Sequence, residues 1–292
     1  MAIFLGTGAS QVFPCPYCKC PVCENAREIR GKAIKTRTDF LIDEKNVIDF
    51  GPDANLQFTM NGLRMDTLEN IFLTHSHEDH IDPTELGVIR NRKHKLETPV
   101  HVKLWGTEAA LSVVNEVTAA SVGDKDGGFF YKHIELCPIR EFETFETGGL
   151  RVTTLLSSHR GSGKDEWGLN YIIEKDGKTL LYANDTGWYP DATWEFLEKS
   201  DFRFDYVIME DTYTGDKNGI IKPFSAGHLN TANFLEMLKK FIECGCMEKD
   251  TPVFATHLSD AGQQLFPDYV ATVENNPDYN ITVAFDGLKI DF

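Results

Sequence analysis

Residues 75 to 80 read His75-Ser76-His77-Glu78-Asp79-His80, directly after the apolar, strand-like stretch Ile71-Phe72-Leu73-Thr74. Three imidazoles and two carboxylates in one short run demand a fold that holds a tight polar turn on a rigid support. Imidazole suits zinc and its neighbours, and carboxylate accepts harder divalent cations. So dense a turn can hold two ions close together, and two ions can activate a water and polarise a substrate oxygen. The alternative is an exposed polar loop, which the downstream sequence argues against. Leu155-Leu156-Ser157-Ser158 leads to His159, Leu180-Leu181-Tyr182-Ala183-Asn184 leads to Asp185, and Val253-Phe254-Ala255-Thr256 leads to His257. Short apolar runs of this kind read as buried strands. Chemistry tends to sit on the loops that follow them, because a sheet fixes their positions. Any one of these residues alone is weak; four strand ends that each deliver a ligand describe an active-site edge.

Composition narrows what that edge works on. The net charge is −16, from 29 Lys+Arg against 45 Asp+Glu, which disfavours nucleic acid as a partner because such binding needs a basic face. A small anionic substrate stays compatible, since bound cations dominate the local field. No apolar stretch is long enough to span a membrane. The start, Met1-Ala2-Ile3-Phe4-Leu5-Gly6-Thr7-Gly8, lacks the basic region and apolar core of a signal peptide, so a cytoplasmic location is expected. Four of the seven cysteines crowd into Cys15-Pro16-Tyr17-Cys18-Lys19-Cys20-Pro21-Val22-Cys23. In a cytoplasmic chain this nest favours a structural zinc over disulfides, with a redox pair or free thiols as the rival. Cys137, Cys244 and Cys246 read as ordinary thiols.

The residue pattern alternates strand and helix. Strands are expected at 2–5, 39–42, 46–49, 71–74, 100–105, 150–156, 169–174, 179–183, 206–209, 253–256, 281–285 and 288–291, with Asp286-Gly287 as a hairpin turn between the last two. Helices are expected at 84–92, 108–119, 193–199, 231–244 and 266–275. Two sheets with helices outside fit this order, and no linker splits the chain, so residues 1–292 are expected to form one domain. A glycine- and aromatic-rich stretch, Ser121 to His133, reads as a lid or an ordinary loop. Arg90, Arg92, Lys93, His94 and Lys95 form the one basic cluster, read as a solvated helix end or a steering patch.

The His-x-His-x-Asp-His run, followed by a His, an Asp and a His at later strand ends, resembles the metallo-β-lactamase-fold hydrolases along the whole chain. The resemblance implies an α/β fold, a four-layer αββα sandwich. It implies one divalent cation (Zn, Mn or Fe) held by His75, His77 and His159, a second held by Asp79, His80 and His257, and Asp185 bridging them. Asp49 would orient a ligand loop from behind. The bridging carboxylate argues against lactam hydrolysis. Cys18, Cys20 and Cys23, with the opening Leu-x-Gly-x-Gly turn, resemble the phosphonate-degradation cyclic phosphodiesterase (PhnP-like) branch. Its cysteine zinc is completed by a His three residues beyond the last active-site His; here that position is Asp260, so Cys15 or Asp260 would be the fourth ligand. His228, in Gly227-His228-Leu229-Asn230-Thr231, matches that branch's phosphate-contacting His and would serve catalysis with Asp79 and Asp185. The implied activity is hydrolysis of a small, cyclic phosphodiester. A thioester or lactone hydrolase and an RNA-processing nuclease are the alternatives, and a homodimer is left open.

Overall fold

The computed structural model describes residues 1–87, 101–121, 132–215, 227–262 and 264–292. The strands are β1 (Ala2–Gly6), β2 (Asp39–Asp43), β3 (Asn46–Ile48), β4 (Asn70–Phe72), β5 (Val102–Gly106), β6 (Ile134–Pro138), β7 (Thr144–Thr147), β8 (Leu150–Arg160), β9 (Trp167–Lys175), β10 (Lys178–Ala183), β11 (Tyr206–Glu210), β12 (Pro252–Thr256), β13 (Asn280–Val283) and β14 (Lys289–Ile290). The helices are α1 (Pro21–Ile29), α2 (Ala54–Met60), α3 (Pro83–Leu86), α4 (Glu108–Ser121), α5 (Asp191–Glu198), α6 (Thr231–Glu243) and α7 (Phe266–Glu274).

The strands form two seven-stranded mixed sheets, ordered β14-β1-β2-β3-β4-β5-β6 and β13-β12-β11-β10-β9-β8-β7. Three apolar layers follow. Between the sheets lie Phe4, Phe40, Phe72, Tyr171, Tyr182 and Ile208, each essentially inaccessible. Phe40 bridges the layer, its ring 5.0 Å from Phe4 and 5.7 Å from Tyr182. Burying each such side chain is worth about 1.5–3 kcal/mol, so this layer clamps the sheets face to face. A second layer, with Phe50, Phe58, Leu104 and Val114, seats α2 and α4 on the first sheet. A third seats α5, α6 and α7 on the second. Helix α6 shows why: Phe234, Met237, Leu238 and Phe241 recur at helical spacing and are all buried. The result is the four-layer αββα sandwich of the metallo-β-lactamase type.

In the first sheet β3, β4, β5 and β6 run parallel. In the second, β10, β11, β12 and β13 run parallel. Two antiparallel steps, β8 to β9 and β9 to β10, return β8 to the same direction. All these strands therefore present their carboxyl ends to one edge, the place where open α/β sheets bind ligands. The two sheets are joined at that edge: Leu169 N–H donates to the Thr74 carbonyl at 2.8 Å, and the Tyr171 hydroxyl donates to the Leu73 carbonyl.

Some expectations are corrected. Asp286-Gly287 is not a hairpin turn. It carries the chain from β13 in one sheet to β14 in the other, because β14 pairs with β1. Gly287 N–H bonds the Phe4 carbonyl at 2.7 Å, and Asp286 accepts from the Thr7 hydroxyl and the Thr36 amide, both at 2.7 Å. Strands β6 and β7 and helix α2 went unexpected; β7 and β6 are half-exposed edge strands with mixed residues. Strand β8 continues past Leu156, so His159 sits inside a strand end instead of on a following loop. The basic cluster at 90–95, and the 122–131 stretch of the expected lid, lie outside the described residues.

Candidate metal centre

The ligand turn is fixed from below by Asp49. Its carboxylate accepts from the Thr74 amide at 2.8 Å, from the Thr74 hydroxyl at 3.0 Å, and from His80 Nδ1 at 2.7 Å. Asp49 sits just past β3 in the left-handed region, φ 62°. Asp185 (φ 46°) and His257 (φ 59°) share this conformation just past β10 and β12. Such backbone costs on the order of 1–3 kcal/mol for a non-glycine residue and collects at functional sites. Here it turns three polar side chains inward at the strand ends. Gly51 is needed for a different reason: a Cβ there would lie 2.2 Å from the Asp79 carbonyl oxygen. From the other side the fully enclosed Glu166 accepts from the Ser76 amide and hydroxyl and from the Gly163 amide at 2.7 Å.

Four imidazoles turn Nδ1 outward and Nε2 inward. His80 Nδ1 meets Asp49, His159 Nδ1 donates to the Gly227 carbonyl at 2.8 Å, His257 Nδ1 meets the Thr212 hydroxyl at 2.8 Å, and His75 Nδ1 meets the Thr74 hydroxyl at 3.0 Å. Partners of this kind select the tautomer that leaves Nε2 as a ligand. His77 is inverted. Its Nδ1 lies 2.9 Å from His75 Nε2 and 3.2 Å from His159 Nε2, so His75, His77 and His159 converge as one group. Asp79, His80, Asp185 and His257 converge as another. Asp185 stands between the two. Its Oδ2 lies 3.4 Å from His75 Nε2 and 2.7 Å from His80 Nε2, while Oδ1 lies 2.8 Å from His257 Nε2.

The donor atoms fit divalent cations. His80 Nε2, His257 Nε2 and Asp185 Oδ1 are buried and make no hydrogen bond despite their close approach to one another. Orphaned buried polar atoms are costly, and a cation accepting their lone pairs removes that cost. The electrostatics agree. Burial opposes the charged form of His257, yet Asp185 and Asp79 outweigh it and push its pKa up to about 10. Burial likewise opposes charge on His80, but Asp185, Asp79 and Asp49 raise its pKa well above the usual histidine range. Asp185, although buried, is held well below the ordinary carboxylate range by His257 and His80. The pocket thus stabilises positive charge at its centre. His75 and His159 move the other way, burial first and neighbouring imidazoles after it lowering both pKa values, and stay neutral as ligands must.

His228 lies beside this centre because α6 begins just after it. Asn230 caps the helix by accepting from the Asn233 amide at 2.9 Å, Leu229 is fully buried, and the Leu229 carbonyl accepts from Tyr213 N–H at 3.0 Å. The His228 ring packs 4.5 Å from that of His159, and its Nδ1 lies 3.1 Å from Glu210 Oε2. Burial lowers the His228 pKa, but the Glu210 carboxylate overrides it and moves the pKa up. Glu210, enclosed at the end of β11, also accepts from the Thr186 amide at 2.6 Å and from the Thr212 hydroxyl. It therefore ties together the segments of Asp185, His257 and His228. A cleft of about 260 Å³ opens over the site, lined by His77, Asp79, His159, Asp185, His228 and His257.

The structure thus brings together His75, His77, Asp79, His80, His159, Asp185 and His257, with Asp49 and His228 against them. Sequence reasoning missed Glu166 and Glu210. Glu210 had a signal, a carboxylate closing the apolar run Tyr206–Met209; Glu166, in a turn between two strands, had none. Among the thiols, Cys18, Cys20 and Cys23 converge, and Cys15 does not join them. The Cys15 carbonyl closes a turn, accepting from the Cys18 amide at 3.1 Å and from the Arg27 guanidinium, and Cys15 is buried. Asp260 does not join the group either.

Comparison with known proteins agrees with this architecture. A family described as a beta-lactamase superfamily domain matches residues 46–243. Ribonuclease Z of Thermoplasma acidophilum is 27% identical over 157 residues, covering 54% of this chain and 44% of that protein. The chain thus matches less than half of that relative's length. The crystal structure of a diphosphatase from the PhnP family superposes with a TM-score of 0.68 at 21% identity, covering 100% of this chain and 96% of the other. Zn²⁺-bound PqqB from Methylobacterium extorquens superposes with a TM-score of 0.73 at 19% identity, covering 100% and 99%. No helix among the described residues is long and apolar enough to cross a membrane. With two converging ligand groups at the carboxyl edge of an αββα sandwich, the chain belongs to the beta-lactamase superfamily.

Proposed function

We propose that the protein is a phosphodiesterase acting on small, cyclic phosphodiesters with two divalent cations. His75, His77 and His159 would hold one cation, Asp79, His80 and His257 the other, and Asp185 both. Bound there, two such cations supply Lewis-acid activation of water and of the phosphoryl oxygens. The protein's own groups do the rest. Asp49, Thr74 and Thr212 keep the imidazole Nε2 atoms aimed inward. Glu210 holds His228 Nδ1 and favours the protonated imidazole, which would leave Nε2 to give a proton to the departing alkoxide in the cleft its ring lines. The carrying observation is this Glu210–His228 pair standing over the two ligand groups. A proton donor there serves a poor leaving group, such as the alkoxide of a diester.

Cys18, Cys20 and Cys23 are three thiols within 4.8 Å, a donor set suited to a structural zinc. A small anionic substrate fits the modest cleft and the acidic chain. The match to ribonuclease Z favours one second reading, RNA processing, and the net charge of −16 weighs against it.

A substrate panel tests the proposal. An aryl phosphodiester and a 2′,3′-cyclic nucleotide should be turned over, preferably with Mn²⁺ or Zn²⁺. A phosphomonoester, a β-lactam, an acyl-glutathione thioester and a structured RNA should be poor. His228→Ala should lower kcat by about 10²-fold or more, the scale of a lost general acid, with metal content unchanged. Faster turnover of the thioester than of any diester would overturn the reading, and preference for the RNA would replace it with the second.

A further inference from the structure

Beyond the ligand groups and His228, the described residues that line the cleft carry no charge. Among the described residues that line it, those beyond the ligands and His228 are Ser10, Gln11, Thr212, Tyr213, Ser259 and two alanines, with no lysine or arginine. Two of these are already committed. Thr212 bonds Glu210 and His257, and the Ser259 hydroxyl donates to the Thr212 carbonyl at 3.0 Å while accepting from the Ala261 amide at 3.1 Å. The Tyr213 hydroxyl, the Ser10 hydroxyl and the Gln11 side-chain amide make no hydrogen bond to any described residue. Three neutral polar groups without a partner among the described residues therefore line one small cleft.

Tyr213 is also held rigidly. Its amide donates to the Leu229 carbonyl at 3.0 Å, it forms a bridge with Asn230, and its neighbours Thr212 and Thr214 are buried. Its half-buried ring meets the His228 ring edge-on, with centroids 5.7 Å apart and planes at 86°. An aromatic side chain fixed this way offers a ring face or edge, and a hydroxyl, at low entropic cost. It stands beside the group that would protonate the leaving oxygen, so what it touches is the organic side of the substrate.

We infer that Tyr213, Ser10 and Gln11 form a subsite for the organic part of the substrate, and that this part is an uncharged, hydroxyl-bearing ring such as a nucleoside, not a group carrying a second phosphate. The inference rests on the phosphodiesterase reading above. A second phosphate would need a cation or a set of amide donors, and the described wall has no cation. A ring with hydroxyls matches an aromatic wall and free polar groups. The cleft of about 260 Å³ falls just below the ~300–1,000 Å³ of sites for drug-sized ligands, which suits one such ring and not a chain of nucleotides.

Calorimetric titration of the metal-loaded full chain tests this without turnover, using inorganic phosphate, adenosine 3′-monophosphate and adenosine 3′,5′-bisphosphate as probes. The monophosphate should bind at least about tenfold more tightly than inorganic phosphate, the scale of one base–aromatic stack. The bisphosphate should bind no more tightly than the monophosphate. Tyr213→Ala should remove most of the monophosphate's advantage while moving inorganic phosphate by less than about twofold. Tyr213→Phe, which keeps the ring, should retain most of it. Equal affinity for monophosphate and inorganic phosphate would overturn the inference. So would tighter binding of the bisphosphate, or a Tyr213→Ala loss equal for both probes. Failure of the phosphodiesterase reading shows separately, as absent diester turnover by the wild type.

Discussion

Asp185 has contacts to both ligand groups. Its two carboxylate oxygens approach His75, His80 and His257 within 3.4 Å, and its backbone adopts φ 46° to do so. Removing it takes a donor from both groups at once. Asp185→Ala should reduce turnover on an aryl phosphodiester to less than about a tenth of wild type, as the metal and its activated water are both misplaced. Retained activity per folded molecule, with a lowered melting temperature only, would mark Asp185 as merely structural. The same neighbourhood sets a pH dependence. Burial disfavours charge on His257 and His80, but the carboxylates raise both, His257 to about 10. After chelation His257 therefore carries a proton at pH 8, which a cation must displace, and the raised His80 pKa works in the same direction. Cation binding should release protons at pH 8, and apparent affinity should rise with pH towards about 10. Calorimetry in buffers of differing ionisation enthalpy reads the proton count; a count of zero would contradict the coupling.

At the scale of elements, ligand delivery depends on strand direction. Parallel β3–β4 and β10–β11–β12, and β8 returned to their direction, place every ligand at one edge. This much was legible in the sequence, because buried parallel strands are short apolar runs and each ended on a ligand type. What was not legible has physical causes. The edge strands β6 and β7 bury few residues, Ile134 and Cys137 in β6 and none in β7, so their patterns are mixed. Asp286-Gly287 looks like any hairpin turn, and only long-range pairing of β14 with β1 makes it a crossing between sheets. Glu210 and Glu166 act on the ligands through hydrogen bonds between segments 18 and 90 residues apart, which no local spacing encodes. Cys15 shares the spacing of a ligand, yet its thiol does not join the other three. The Cys18–Cys20–Cys23 group at the start of α1 should bind metal independently of the catalytic pair. A Cys18→Ser, Cys20→Ser double variant should lose about one metal equivalent and some stability while keeping the other two, the expected behaviour of a structural zinc site. Unchanged metal content would argue for free thiols or a redox pair.

For the whole molecule, an acidic chain encloses a centre built to attract cations. The net charge of −16 repels a polyanion track, while Asp79, Asp185 and Glu210 sit under the cleft where bound cations would reverse the local field. Fold, ligand convergence and the uncharged residues described on the cleft wall are then consistent with one small anionic ester reaching two cations. Elemental analysis of protein purified without chelator tests that central claim most directly. The account predicts more than two metal equivalents per chain, at least one of them zinc, from the His/Asp groups and the thiols. Less than about one equivalent would contradict it, because seven converging ligand residues would then be holding no pair of ions.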